Sequence, residues 1–422
     1  MEDVTCITVP EAAWADSRTR VLKFPKSWNI EVYPMKGYLA PALNREKILY
    51  SLRNPIHAKP LRKIAEGKRE VAIIFDDNTR PTKVGEIAKI VIEELKSAGI
   101  KDDNIRFIAA LGAHGAMNKA DFLKKLGSEI ADEYAVYNHN PFHGCEHLGE
   151  TSQGTPIEVN GEYVSCDLRI GIGCIVPHPM MGFGGGAKIL LPGIASMKAI
   201  EYNHANVGGY VGGLTPHPST GWGRNIGNIL REDCEEFARI AKIDFKIDVL
   251  INGFNDSIDI YSGDVVEEQR TGAEKGREIY SSEIPADYDA IILNTSAKAN
   301  EAALALSNWY PFISENAIVV VIANPPGGQV THYAYGKFGK NIGGSIFNPG
   351  KPLEKIKQLI WFSEHPEVDP LFPIARPGEI QRIKSWNEVI EEVSSLTGKR
   401  DIRVAVIPNA DVQCPSSVLK PL

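Results

Sequence analysis

VAIIFDDNTRPTKVGEIAKIVIEELKSAGIKDDNIRFIAA, residues 71–110, decides the fold class. VAIIF (Val71–Phe75) is a short apolar run, read as a strand buried on both faces. It gives way to DDNTRP, a turn cluster whose Pro81 suits a first helical turn. Ile87, Ile90, Val91, Glu94 and Leu95 follow helical spacing, and Gly99 marks the stop. IRFIAAL (Ile105–Leu111) is the next strand. Strand, helix, strand predicts a right-handed crossover in a parallel sheet.

Working outward, strands are expected around Tyr134–Tyr137, Pro156–Val159 and Leu168–Val176, then in DFKIDVLING and SIDIYSG. Helices are expected near Ser196–Ala205, Asn228–Lys242 and Val265–Ser281. A second α/β pattern starts near Pro285. DAIILNT and AIVVVIANP read as strands, with a helix over Asn300–Ser307 between them and further helices at Leu353–Glu364 and Glu388–Leu396. RVAVIPNA (Arg403–Ala410) is a last strand, expected to return to the first domain. The expectation is two α/β domains with parallel-type sheets. Residues 1–275, completed by 400–422, form the first and 280–399 the second, with a boundary near 270–285.

The chain has 422 residues, enough to bury a full core without staples. Its net charge of -7 gives no electrostatic footprint for nucleic acid or anionic lipid. Six sparse cysteines without a C-x-x-C pair imply reduced thiols and a cytoplasmic address. The acidic N-terminal stretch reads as no signal peptide, and no apolar run reaches the ~18 residues of a membrane span.

Ligands of open α/β sheets sit outside the carboxyl ends of the strands. Asp77 and Arg80 follow one strand end, His114 in LGAHG the next, and His178 in GCIVPHP a third. Each alone reads as a cap, a surface Arg or a satisfied loop His; together they mark a site. GFGGGAK (Gly182–Lys188) lets backbone approach a ligand at Gly184, Gly185 and Gly186, but lacks the G-K-[ST] of a phosphate-binding P-loop. Lys188 precedes ILLPG, and an apolar wall there would lower its pKa and make it a candidate for covalent linkage. The competing reading is a tight turn with a solvated lysine. HNPFHGCEH (His139–His147) crowds three histidines at helical spacing, but Pro141 and Gly144 break that helix, so a metal site is not expected there.

These motifs, in this order, resemble the lactate racemase family that uses a nickel-pincer nucleotide. They are DDNTRP (Asp76–Pro81), LGAHG with His114, PHPMMGFGGGAKILLPGI (Pro177–Ile194) and EYNHAN with His204, followed by GNILREDCEEFARIAKIDF and SGD. The cofactor implied is pyridinium-3,5-bisthiocarboxylic acid mononucleotide nickel, a nicotinate-derived nucleotide whose two sulfur arms hold the metal. The resemblance implies that Lys188 carries it through a thioamide, that His204 is the protein ligand to nickel, and that His114 and His178 are the acid–base pair. Asp77 and Arg80 would stand beside the cofactor and active site, in the cleft between the domains, with Arg80 a catalytic residue that steers a catalytic His or the substrate. The activity implied is racemisation or epimerisation of a small-molecule 2-hydroxy acid by reversible hydride transfer, with maturation proteins supplying the cofactor.

The sequence departs from the family in two places. Gly184 stands where the loop usually has Ser. The second-domain Tyr-Gln pair and following Lys, which meet the substrate, align with Ala303, Leu304 and Ser307. Lactate is therefore not the expected substrate; a longer or sugar-derived acid is, with Lys298 and the Gln329–Tyr335 stretch as candidate contacts. The alternatives are a non-catalytic nucleotide-binding or regulatory homologue, and an ordinary dinucleotide dehydrogenase. The absence of G-x-G-x-x-G after VAIIF counts against the latter.

Overall fold

The computed structural model describes residues 4–15, 18–210, 216–335, 353–365 and 377–420. Two six-stranded sheets organise them. The first runs, in spatial order, Ser257–Gly263, Phe245–Ile251, Leu168–Cys174, Val71–Asp76, Ile105–Ala110 and Ala135–Asn138. Only the pairing of Phe245–Ile251 with Ser257–Gly263 is antiparallel. The period of two along Val71–Asp76 explains why its run is continuously apolar. Val71, Ile73 and Phe75 enter one core cluster while Ala72 and Ile74 enter another on the opposite face. The helix Val84–Ser97 makes the crossover to Ile105–Ala110, starting three residues later than Pro81 would allow. Thr82 instead donates to Asp76 Oδ2 at 2.5 Å, holding the turn open before the helix.

The second sheet is wholly parallel: Ile380–Ile383, Gln358–Phe362, Ile318–Ile322, Ala290–Asn294, Arg403–Ile407 and Asn29–Val32. Two expectations are corrected here. Arg403–Ile407 lies between Ala290–Asn294 and Asn29–Val32, not in the first sheet. Its side chains alternate into two cores, Val404 and Val406 against Val9 and Trp28, Ala405 and Ile407 against Leu293 and Trp309. Asn29–Val32, within the stretch assigned to the first domain, closes the edge of the second sheet. The chain then turns back: Cys414–Pro415 pairs with Ser281–Ser282, and Val412, Cys414 and Leu419 join the first core. The other correction is Leu353–Glu364, expected as a helix. QLIWF (Gln358–Phe362) is a strand whose Leu359–Phe362 are all buried, which suits the interior of a sheet better than one face of a helix.

In each sheet the chain steps outward along one side of a central strand and later places a strand on that strand's other side. Val71–Asp76 is the switch point of the first sheet and Ala290–Asn294 that of the second. Open sheets bind ligands beside such strand ends. Among the described residues no helix is long and apolar enough to cross a membrane, and all six cysteines are free thiols.

Candidate active site

Asp77, Arg80, His114, His178, Lys188 and His204 all line one cavity, which Lys298, Glu301, Leu304, His332 and Tyr335 close from the side of the second sheet. The turn after Val71–Asp76 is held by a lysine that the sequence did not mark. Lys125 is fully buried; its Nζ pairs with Asp76 Oδ1 at 2.7 Å and donates to the carbonyls of Asp77 and Arg80, each at 2.9 Å. This aims Asp77 and Arg80 at the cavity. Asp77 Oδ2 accepts from His114 Nδ1 at 2.6 Å, and its Oδ1 accepts from the Thr79 amide and hydroxyl. Burial alone would raise the Asp77 pKa, but His114 and Arg80 pull it down to about 2. The carboxylate therefore keeps the His114 proton on Nδ1 and leaves a lone pair on Nε2.

His178 sits in a short strand, Pro177–His178, that doubles back on Met181–Phe183. The amides of Met180 and Met181 both donate to its Nδ1 at 3.2 Å. An accepting Nδ1 puts the ring proton on Nε2, which lies 2.8 Å from Lys188 Nζ. The lysine nitrogen then receives that proton with its own lone pair, so Lys188 is a neutral amine. Its surroundings agree: burial and the neighbouring Arg80 hold the Lys188 pKa well below the ordinary lysine value. His178 is likewise held far below its usual value, chiefly by burial.

Lys188 rides on the Gly-rich loop, which the protein clamps from beneath. Arg231, fully buried, donates to the carbonyls of Met181 and Phe183. Gln269 donates to that of Gly184 at 3.0 Å, and Asp248 Oδ2 accepts the Gly186 amide at 2.6 Å. Gly184 and Gly185 line the cavity; Gly186 does not. At Gly185, with φ +73°, a Cβ would meet Ile175 Cγ1 at 2.6 Å and Asp248 Oδ2 at 2.7 Å. The demand for glycine there is thus packing against the loop's own support.

His204 lies in a π-helical turn, Tyr202–Val207, that continues the helix Met197–Glu201. Its Nδ1 donates to the Ile200 carbonyl at 2.9 Å. That leaves a lone pair on Nε2, and burial, then Lys188, lowers its pKa to about 4, so the ring is neutral at pH 7. A backbone carbonyl on the far nitrogen is the usual arrangement behind a metal-ligating imidazole. Among the described residues no group of three or more His, Cys, Asp or Glu side chains is arranged to hold a metal ion.

The HNPFHGCEH histidines are not gathered. His139 is buried, donating from Nε2 to the Ala195 carbonyl at 2.9 Å and accepting from Asn160 at Nδ1. His143 and His147 are exposed. From the second sheet, Leu304 reaches the cavity, whereas Ala303 and Ser307 are not among its lining residues. Gln329 is tied to backbone at Ala299 and Ala302. Gly336, which follows the Gln329–Tyr335 stretch, lies outside the described residues.

Sequence reading missed Glu301 and did not single out His332. Glu301 follows the switch-point strand Ala290–Asn294, and its Oε2 takes Arg80 Nη1 at 2.9 Å and Lys298 Nζ at 2.8 Å. Burial works against its ionisation, but Lys298 and Arg80 hold its pKa below the carboxylate range. His332 packs edge-on against His114, ring centres 5.1 Å apart, and near Tyr335 at 4.3 Å. A strand end followed by two ionisable residues, Lys298 and Glu301, was the signal available.

Residues 16–210 match the family model described as the lactate racemase N-terminal domain. The chain is 30% identical over 254 residues to a lactate racemase of Lactiplantibacillus plantarum, covering 60% of this chain and 58% of that protein. It is 29% identical over 215 residues to the lactate racemase of Thermoanaerobacterium thermosaccharolyticum, covering 50% of this chain and 49% of that one. The matches thus span roughly half the length of these curated relatives. The fold is similar throughout to that of the lactate racemase apoprotein from T. thermosaccharolyticum: TM-score 0.70 at 19% identity, covering 97% of this chain and 99% of the other. A Thermotoga maritima protein of known structure is similar at TM-score 0.61 and 18% identity, over 89% and 99% of the two chains.

Proposed function

We propose that this chain, which resembles the lactate racemases over its N-terminal half in sequence and over its length in fold, is a racemase or epimerase of a small 2-hydroxy acid. One observation carries the reading: a lysine amine in contact with one imidazole, a second imidazole and a third with a free nitrogen converge on one cavity. The donors fit a lysine-linked nickel-pincer nucleotide. Lys188 is an unprotonated nucleophile held 2.8 Å from His178, as a thioamide linkage needs. His204 Nε2 offers one soft-enough nitrogen to a metal whose other donors come with the group. When bound, such a group supplies a reversible hydride acceptor.

The chain's own residues do the rest. His114, oriented by Asp77, takes the hydroxyl proton at Nε2. His178 serves the enantiomer that presents its hydroxyl from the other side. Its Nδ1 is held by two amides, so its Nε2–H, now facing the Lys188 nitrogen, would be the hydrogen-bond donor it offers to the substrate oxygen. Lys298 and Arg80 are the cations available to the substrate carboxylate. With the family's Tyr-Gln and Lys positions filled by Ala303, Leu304 and Ser307, lactate loses two contacts of about 1.5–3 kcal/mol each. It is therefore a poor substrate, by roughly two to four powers of ten. Maturation proteins that build and deliver the cofactor are the partners this reading requires, and the cytoplasm is its compartment.

The test is loss of optical activity from single enantiomers of a panel of 2-hydroxy acids, lactate to sugar acids, using protein produced together with the cofactor pathway. Inversion of at least one acid is expected. A loaded protein that inverts none of them contradicts the proposal, and lactate as the best substrate contradicts the assignment of Ala303, Leu304 and Ser307.

A further inference from the structure

Among the described residues, Glu301 is the only acid that lines the cavity from the side of the second sheet. Its two oxygens face different tasks. Oε2 carries both Arg80 Nη1, at 2.9 Å, and Lys298 Nζ, at 2.8 Å. Oε1 faces His114 Nε2 across 3.8 Å, too far for a hydrogen bond. Two acceptors, the base that receives the reacting hydroxyl and a carboxylate oxygen, thus stand side by side at an interval that the two hydroxyls of a vicinal diol span. A second observation points the same way. His332 packs its ring against His114, and its Nδ1, shielded from solvent, has no hydrogen-bond partner among the described residues. A purely apolar substrate tail would leave that nitrogen and Glu301 Oε1 unsatisfied, which a buried site penalises.

The charge arrangement also disfavours the simplest acids. Arg80 and Lys298 are already partly neutralised by Glu301, so a carboxylate alone gains less here than from two free cations. A substrate that also donates a hydrogen bond to Glu301 recovers the difference.

We propose that Glu301 is a specificity-determining residue that accepts a hydrogen bond from a hydroxyl on the carbon next to the reacting one, so that the preferred substrates are 2,3-dihydroxy acids. This rests on the racemase reading above and adds the identity of the neighbouring group. A site built to bond a hydroxyl rejects the analogue lacking it far more strongly than an apolar pocket rejects an added one.

The experiment compares acids that differ by that hydroxyl alone, lactate against glycerate and 2-hydroxybutanoate against 2,3-dihydroxybutanoate. It uses loaded parent protein, Glu301→Gln and Glu301→Ala. In the parent, kcat/KM is expected to favour the dihydroxy member of each pair by about tenfold or more. In Glu301→Ala that ratio falls to about one, whatever happens to the absolute rates. If Glu301 only holds Arg80 and Lys298 in place, all acids fall together and the ratio persists, which overturns the proposal. A parent ratio of one overturns it as well. If no acid is turned over, the racemase reading fails separately. Calorimetric binding of the same pairs then decides: tighter binding of the dihydroxy acids, lost in Glu301→Ala, supports the assignment, and equal affinities overturn it.

Discussion

Replacing Asp77 with Asn removes the charge that orients His114 and leaves the shape nearly unchanged. Asp77 is 4% exposed, and its pKa falls from 3.8 to about 2 in the folded protein, the pull of His114 and Arg80 outweighing burial. A depressed carboxylate pKa stabilises the fold above the unfolded value and ceases to do so as pH falls through the folded one. The depression of 3.8 − 2, or about 1.8 units, at 1.36 kcal/mol each corresponds to about 2 kcal/mol at neutral pH. For a lobe of this size that is roughly 4–8 °C in Tm. Thermal unfolding of parent and Asp77→Asn should therefore differ by about that much at pH 7. The gap should narrow from near pH 5 and close by about pH 1, below the folded pKa, where the parent's carboxylate is also protonated. The same change frees the His114 ring to adopt the wrong tautomer, so kcat/KM should fall by at least about tenfold, mostly in kcat. Equal melting temperatures at pH 7, or a gap that does not shrink on acidification, would refute the assignment of a charged Asp77 bound to His114.

His204→Ala should lose nickel while its melting temperature stays near the parent's, whereas His143→Ala and His147→Ala should keep the metal; metal analysis after gel filtration decides. Gly185→Ala forces a Cβ to within 2.6 Å of Ile175 at φ +73°, and should cost about 2 kcal/mol or more in unfolding experiments; a neutral outcome would mean the loop is not clamped as described. His114→Ala and His178→Ala should each impair one enantiomer more than the other, and deuterium on the reacting carbon should remain largely in the product. Wholesale exchange with solvent would indicate proton abstraction from carbon instead.

The first crossover was legible because Val71–Asp76 and Ile105–Ala110 are largely apolar runs separated by one strongly amphipathic helix, Val84–Ser97. Side chains at strand ends were legible for the same reason: where a run stops, the next polar residue faces the ligand side. The destination of Arg403–Ile407 was not, because both sheets bury a strand on two faces and the sequence of such a run carries no address. Gln358–Phe362 was misread because its preceding Leu353 and Ile356 continue a helical spacing that the strand's burial on both faces overrides. The N-terminal strands Val4–Pro10 and Thr19–Pro25 were passed over, although TRVLKFP alternates, with Leu22 and Phe24 buried. Glu301 was hidden inside Asn300–Ser307, a stretch read only as a helix between two strands. Its importance comes from Arg80, 221 residues away in the chain, and no local pattern announces a contact of that range. Lys125 was invisible for the same reason, since its partners lie on a turn some 45 residues earlier.

The central claim is that Lys188 carries the nickel-containing group. Intact mass and metal content of protein produced together with the cofactor pathway test it most directly, with Lys188→Ala alongside. The account predicts a mass increment equal to the linked nucleotide and close to one nickel per chain in the parent, and no covalent increment in Lys188→Ala. A parent without the increment, or a Lys188→Ala protein that retains it, would contradict the account.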